Sequence, residues 1–394
     1  MTDTIMNTAD QVMAATYKRF PIVLERGQGC TVWDTQGRRY TDFVAGIAVC
    51  NLGHAHPRIA DAVARQAKKL VHVSNLYYTI PQTELARMLV EQSFADRVFF
   101  GNSGAEANEA AIKLARKYFK DGGQPKRFRI VSMEKSFHGR TMATLSATGQ
   151  DKIKQGFDPV LEGFSFVPFN DIDALKSAID EHTCAVMLEP IQGEGGIRCP
   201  DPDFLRQVRQ LCDQRGVLMI LDEIQTGMGR TGKRFAHEHY GVTPDIMTLA
   251  KALANGLPIG AMLATERVAA AFGVGSHAST FGGTPLVAAA AVETLKIIDE
   301  EKILYRAQET GTYFKDELKQ LKLRHRCIVE VRGKGLLLGI QLNGPADELV
   351  PLFMEKGFLV NCVQGEILRF VPPLIIQESE IDALIQCLDN VLTR

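Results

Sequence analysis

Between residues 97 and 264 the chain repeats one pattern, a short apolar run followed by a stretch with helical spacing. The runs are Arg97-Val98-Phe99-Phe100, Arg129-Ile130-Val131, Ala185–Leu188, Val217–Leu221, Ile246–Leu249 and Gly260–Ala264. Most are apolar throughout rather than alternating, so they predict strands covered on both faces. Strands that alternate with helices, such as Phe204–Arg215 before Val217, predict an α/β fold with a mostly parallel central sheet. Such sheets place ligands at the carboxyl ends of their strands. Chemically useful side chains sit just there: Ser103-Gly104, Phe137-His138, Glu189, Asp222 and Lys251.

The pattern changes near residue 282. Thr284–Glu301 reads as one long helix. Strand candidates at Val329–Val331, Leu336–Leu342, Phe358–Val360 and Leu368–Val371 follow, then a last helix from about Glu378. A chain of 394 residues allows roughly two or three domains. The expected organisation is an N-terminal segment, 1–45, packing on a small α+β domain at 283–394, with a large domain at 46–282.

Composition narrows the function classes. A net charge of −1 and scattered Lys and Arg point away from nucleic acid. No apolar run approaches the roughly 18 residues of a membrane helix, and the first ten residues lack a signal-peptide pattern. Eight cysteines, none in a C-x-x-C pair, fit free thiols in a reducing compartment, so a cytoplasmic location is expected. His54 and His56 in G-H-A-H-P read as a structural turn, with no accompanying cluster to hold a metal.

Gly227-Met228-Gly229-Arg230-Thr231-Gly232 matches G-x-G-x-x-G and, read to Lys233, nearly matches a phosphate loop. Context opposes both. Five residues separate the strand from the first glycine, no amphipathic helix opens after Gly232, and Arg234 stands where a phosphate loop needs Ser or Thr. The glycines are expected to form a turn-rich loop.

Asp222 ends a strand that reads as buried, and a buried carboxylate needs a cationic partner. A pyridinium nitrogen would serve, as in pyridoxal phosphate sites. Lys251, at the end of the next strand among small and apolar neighbours, offers an amine for an aldehyde in the same crevice. G-N-S-G-A-E-A opens a helix directly after a strand, so the N–H groups of Ser103, Gly104 and Ala105 are candidates for a phosphate. Phe137 is placed to stack on a cofactor ring, and Arg140 and Arg369 are candidates to grip carboxylates. Glu223 is expected to be solvated or paired with an arginine.

In order along the chain stand G-H-A-H-P, N-S-G-A-E-A-N-E-A-A-I-K-L-A-R, F-H-G-R-T, E-P-I-Q-G-E-G-G, D-E-I-Q-T-G-M-G-R-T-G and A-K-A-L. Together they resemble the class III aminotransferases of fold type I, throughout the chain. The resemblance implies that Lys251 carries pyridoxal 5′-phosphate covalently and moves the proton, and that Asp222 pairs with the pyridine nitrogen. Gln225 then bonds the ring hydroxyl, Phe137 covers a ring face, and Gly104 and Ala105 hold the phosphate. Thr280 would complete that cradle from a neighbouring subunit, implying a homodimer with shared sites. Arg140 and Arg369 are implied as carboxylate clamps, Glu194 as the acid that masks Arg369, and Ser279 and Tyr17 as substrate contacts.

The segments H-V-S-N-L-Y-Y and S-T-F-G-G-T-P-L resemble the members that act on acetylated ornithine. The implied reaction moves a δ-amino group to 2-oxoglutarate. Ile47 stands where members acting on free ornithine carry tyrosine, which favours an acylated donor. Succinylornithine, ornithine, 4-aminobutyrate and succinyl-diaminopimelate remain alternative donors, and a non-catalytic binding protein with this fold is the alternative of a different class.

Overall fold

The computed structural model describes residues 2–393. Its central sheet has seven strands, in spatial order Arg97–Gly101, Gly260–Ala264, Ile246–Leu249, Leu218–Asp222, Thr183–Leu188, Arg129–Met133 and Phe164–Val167. Gly260–Ala264 is antiparallel to both of its neighbours, and every other pairing in the sheet is parallel. The inner strands are buried along their full length, as expected for a sheet covered on both faces. Helix Gly104–Asp121 packs on one face through Ala110, Ala111, Leu114 and Ala115. Helix Phe204–Arg215 packs on the other through Leu205, Val208 and Cys212. It ends at Gly216, whose φ of 58° is the left-handed stop that turns the chain into the next strand.

Two four-stranded sheets lie outside this layer. One joins Leu24–Gln28, Thr31–Asp34 and Arg39–Asp42 to Phe358–Leu359, which runs parallel to Arg39–Asp42. The N-terminal segment thus shares hydrogen bonds with the C-terminal part of the chain. The other is antiparallel and contains Ile328–Lys334, Leu337–Leu342, Ile367–Phe370 and Asn361–Val363. Phe164–Val167 and Asn361–Val363 carry no continuous apolar run and were not among the strands expected from sequence.

Packing does not break at residue 282. Helix Pro285–Glu300 packs against Pro57–Ala67 and Ile80–Glu91, and one apolar cluster extends from Cys30 to Val391.

Candidate active site

Asp222 ends its strand fully buried, and three donors meet its carboxylate. Asn108 Nδ2 donates to Oδ2 at 2.8 Å, His138 Nδ1 to the same oxygen at 2.7 Å, and the Ile224 N–H to Oδ1 at 3.0 Å. Asn108 is itself oriented by Thr248, whose hydroxyl donates to Asn108 Oδ1 at 2.7 Å. Together these donors fix the carboxylate in one orientation at the strand end. Asn108 was missed in the sequence. The signal was a polar residue on the buried face of a helix, in line with Ala111 and Ala115.

Lys251 opens a short 3-10 turn after the next strand, with a left-handed φ of 43°. A non-glycine residue there costs about 1–2 kcal/mol, and such strain concentrates at functional sites. Burial pushes the Lys251 amine down to about 8; Glu194 opposes that shift and Arg369 adds to it.

Asp222 and Lys251 line one cavity of about 430 Å³, a volume suited to a small cofactor. Ser103, Gly104, Ala105, Phe137, Arg140, Glu194 and Gln225 line it too. Ser103 caps helix Gly104–Asp121, its hydroxyl accepting from the Glu106 N–H at 3.2 Å. The first N–H groups of an 18-residue helix therefore face the cavity, a standing site for an anion. Gly193 leaves room for Gln225: a Cβ there would lie 2.2 Å from Gln225 Oε1.

A pyridoxal phosphate fits this donor set. A buried carboxylate oriented by three hydrogen bonds suits a ring-nitrogen proton. A half-buried amine, lowered toward neutrality and without an ion pair among the described residues, suits an aldehyde.

At the far edge, Arg369 is fully buried on strand Ile367–Phe370, behind Glu194 and Gln225. Its Nη1 pairs with Glu194 Oε1 and donates to Gln225 Oε1 at 3.3 Å, and its Nε donates to Asn361 Oδ1 at 3.2 Å. Burial alone would raise the Glu194 carboxyl, but Arg369 and Lys251 outweigh it and hold it below the usual range. Arg140 is exposed, its guanidinium 5.7 Å from the Phe137 ring centre. It lies between this cavity and an adjoining one of about 680 Å³.

Other expected residues fall elsewhere. Ser279 is close by: its hydroxyl oxygen is 3.2 Å from Nδ2 of Asn102, a cavity residue, and accepts from the Gly282 N–H at 3.0 Å. Thr280 is exposed and outside the cavity lining. Tyr17 is 74% exposed, also outside the lining, and sits beside Arg19. Ile47, with a φ of 68°, lines a separate apolar groove beside the N-terminal helix Thr2–Val12.

One acid departs from its expected place, and a second takes the place expected of it. Glu223 is neither solvated nor paired with arginine. It is buried and accepts from Thr226 Oγ1 at 2.6 Å and from the Ala236 and His237 N–H groups at 2.8 Å each, and burial raises it to about 7. Sequence reads it as surface because only the folded loop brings those N–H groups back. Glu189 lines the cavity and accepts from the N–H groups of Phe137 and Gly193, both at 3.1 Å. Burial raises it to about 7, with His138 opposing. It holds together the two loops that carry Phe137 and Glu194.

His54 pairs with Asp42 at 2.8 Å, an interaction that raises the imidazole to about 10. The glycine loop packs against Leu304, Gln308 and Leu374, which leaves no room for a nucleotide on it.

The model of the family "Aminotransferase class-III" matches residues 12–392. Acetylornithine aminotransferase of Caldanaerobacter subterraneus subsp. tengcongensis is 53% identical over 381 residues, covering 96% of each chain. That of Methanocaldococcus jannaschii is 51% identical, covering 96% of this chain and 95% of its own. Among solved structures, ornithine aminotransferase from Toxoplasma gondii superposes with a TM-score of 0.96 at 34% identity, covering 100% of this chain and 95% of its own. N-acetylornithine aminotransferase from Stenotrophomonas maltophilia gives 0.85 at 40%, covering 98% of each. With the match running nearly end to end and the acid and amine sharing one cavity, the chain belongs to the class III aminotransferases.

Proposed function

We propose that this chain transfers the δ-amino group of N2-acetyl-L-ornithine to 2-oxoglutarate, giving N-acetyl-L-glutamate 5-semialdehyde and L-glutamate, a step of arginine biosynthesis. The relatives named above support the donor. The observation that carries the chemistry is Arg369 masked by Glu194 at the edge of the cavity that holds Lys251.

Pyridoxal 5′-phosphate, the cofactor of the family, supplies an aldehyde that takes up the amino group and a ring that accepts electrons from the carbon losing its proton. Around it the chain's own groups divide the work. Lys251 Nζ, lowered to about 8, is partly free base near neutral pH, so it would hold the cofactor's aldehyde and, once displaced by the substrate's amine, could take a proton from the reacting carbon and return it. Asp222, oriented by Asn108 and His138, would pair with the ring nitrogen. Ser103, Gly104 and Ala105 would hold the phosphate with N–H groups, Gln225 would bond the ring hydroxyl and Phe137 would cover a ring face; all five line the cavity.

The two substrates differ at one end. 2-Oxoglutarate brings a carboxylate beside its reacting carbon, so Arg369 must be free. Acetylornithine brings a bare methylene amine, and an unpaired buried arginine would then be costly. Glu194 serves as a removable counter-ion: it pairs Arg369 for the donor and yields to the acceptor. Arg140 receives the far carboxylate, with Ser279 and Tyr17 as further contacts.

Thr280 completes the phosphate cradle from a second copy. The exposed apolar side chains Leu76, Tyr77, Tyr78, Ile80 and Phe281 support a homodimer formed on that side of the molecule. Among the described residues no helix is long and apolar enough to cross a membrane. A cytoplasmic location and the domain limits 46–282 and 283–394, with 1–45 packed on the latter, belong to the same reading.

The test is a donor panel with 2-oxoglutarate: acetylornithine, succinylornithine, ornithine, 4-aminobutyrate and succinyl-diaminopimelate. Acetylornithine should give the highest kcat/KM, and a preference for free ornithine would overturn the reading.

A further inference from the structure

Arg230, in the glycine loop that follows the cofactor acid, is fully buried and is not among the residues that line the cavity. It has no carboxylate partner among the described residues. Its Nη1 donates to the carbonyls of Leu336 at 2.9 Å and Pro372 at 2.6 Å, and its Nη2 donates to Asn51 Oδ1. The contacts are reciprocal. The Leu336 N–H donates to Arg230 O at 3.0 Å, Asn51 Nδ2 donates to Met228 O at 3.0 Å, and the Leu374 N–H donates to Asn51 O at 2.6 Å.

The two carbonyls have defined places. Leu336 immediately precedes strand Leu337–Leu342, and Pro372 lies two residues beyond strand Ile367–Phe370. Those strands pair with Gly339 opposite Arg369. One guanidinium therefore holds an end of the strand that carries Arg369 and an end of the strand paired with it. The loop is shaped to bring it there. Gly229 and Gly232 take φ of 89° and 86°, and a Cβ on Gly335 would lie 2.4 Å from the Thr231 carbonyl carbon, so the two backbones are in direct contact. The same loop carries Gln225, which accepts from Arg369 five residues before Arg230.

We propose that Arg230 is a positioning residue for acceptor binding, which fixes Arg369 relative to the cavity by tying its strand and the one paired with it to Asn51. The inference rests on the reading of Arg369 as the clamp for the acceptor's carboxylate. Three fork-shaped donors on three carbonyl-type oxygens give a rigid joint that a lysine, with a single ammonium, cannot reproduce. An ångström of drift in Arg369 would weaken a bidentate grip on a carboxylate while leaving the donor, which does not use Arg369, almost untouched.

The experiment follows the two half-reactions of the holoenzyme separately by cofactor absorbance. In Arg230→Met the apparent affinity for 2-oxoglutarate should fall tenfold or more, and the donor half-reaction with acetylornithine should stay within about threefold. Glutarate, a dicarboxylate that cannot react, should bind more weakly by a similar factor. Arg230→Lys should lie between. Should Arg230→Met fail to retain cofactor, Asn51→Ala removes one acceptor of the same guanidinium and should show the same asymmetry in smaller measure. Equal loss in both half-reactions, or lower thermal stability with both unchanged, overturns the proposal. Arg369→Lys run in parallel separates the two failures. Its own 2-oxoglutarate half-reaction remaining intact would overturn the clamp reading, and this inference with it.

Discussion

Arg369 and Arg230 are both fully buried, and they solve the same electrostatic problem in opposite ways. Arg369 is compensated by Glu194, a side chain at the cavity wall that can rotate away. Arg230 is compensated by two backbone carbonyls and an amide oxygen, and the carbonyls cannot leave without unfolding. A buried charge opposite a mobile acid is available to a ligand. A buried charge opposite main-chain carbonyls is committed to the fold.

The comparison is broken most severely at Arg369. Arg369→Met should reduce kcat/KM for 2-oxoglutarate by roughly a thousandfold, with the donor half-reaction changed far less, because a buried charge-to-charge contact is lost on one side only. Stopped-flow absorbance of each half-reaction checks it. Next comes Arg230→Met, which leaves three buried acceptors bare and should cost about 2–4 kcal/mol of stability, read as a lower denaturant midpoint. Equal stability in the two proteins would show that water can replace the guanidinium.

Glu194→Gln should have a smaller, selective effect. With Arg369 unmasked, carboxylate-bearing amines compete better, and the preference for acetylornithine over glutamate should fall about tenfold. An unchanged ratio in competition assays would mean that Glu194 is not the gate.

The smallest effect concerns Lys251. Its amine lies below the free-lysine value, so the free base that captures an aldehyde accumulates as pH rises through about 8. Reconstitution of cofactor-free protein should therefore quicken with pH up to about 8 and then level. Arg369 depresses that amine, so Arg369→Met should move the midpoint upward. Arg230 does not figure among its influences, and Arg230→Met should leave the midpoint in place. For stability the sign is also set. The unfolded lysine binds its proton more tightly than the folded one, so between about 8 and the unfolded value the cofactor-free protein gains stability as pH rises.

The α/β layer was legible because its evidence is local. Leu218–Asp222 and Ile246–Leu249 are largely apolar runs; the first ends in Asp222 and the second leads into Ala250 and Lys251, all of which line the cavity. Lys251 and Asp222 could be linked before any coordinates, since strand ends of such a sheet converge. Phe164–Val167 was not legible, since Phe-Ser-Phe-Val at an edge lacks the run that marks an inner strand. Glu223 was misread because adjacent acids look alike in sequence, and only the return of Ala236 and His237 distinguishes this one from Asp222. Asn108 was overlooked among alanines for the same reason: its partners lie on three other segments, at residues 138, 222 and 248. Arg230 was seen only as one letter of a glycine motif.

The amino-acid order alone determined the inner strands of the large sheet, which of their ends carry acid, amine and helix N–H groups, and which family motifs they compose. Periodicity and backbone preference act over a few residues, so they can be read along a line. Tertiary packing alone decided which arginine faces an exchangeable carboxylate and which is locked onto carbonyls. The partners of Arg369 and Arg230 come from positions far apart in the chain, and the cost of burying a charge depends on what surrounds it in space.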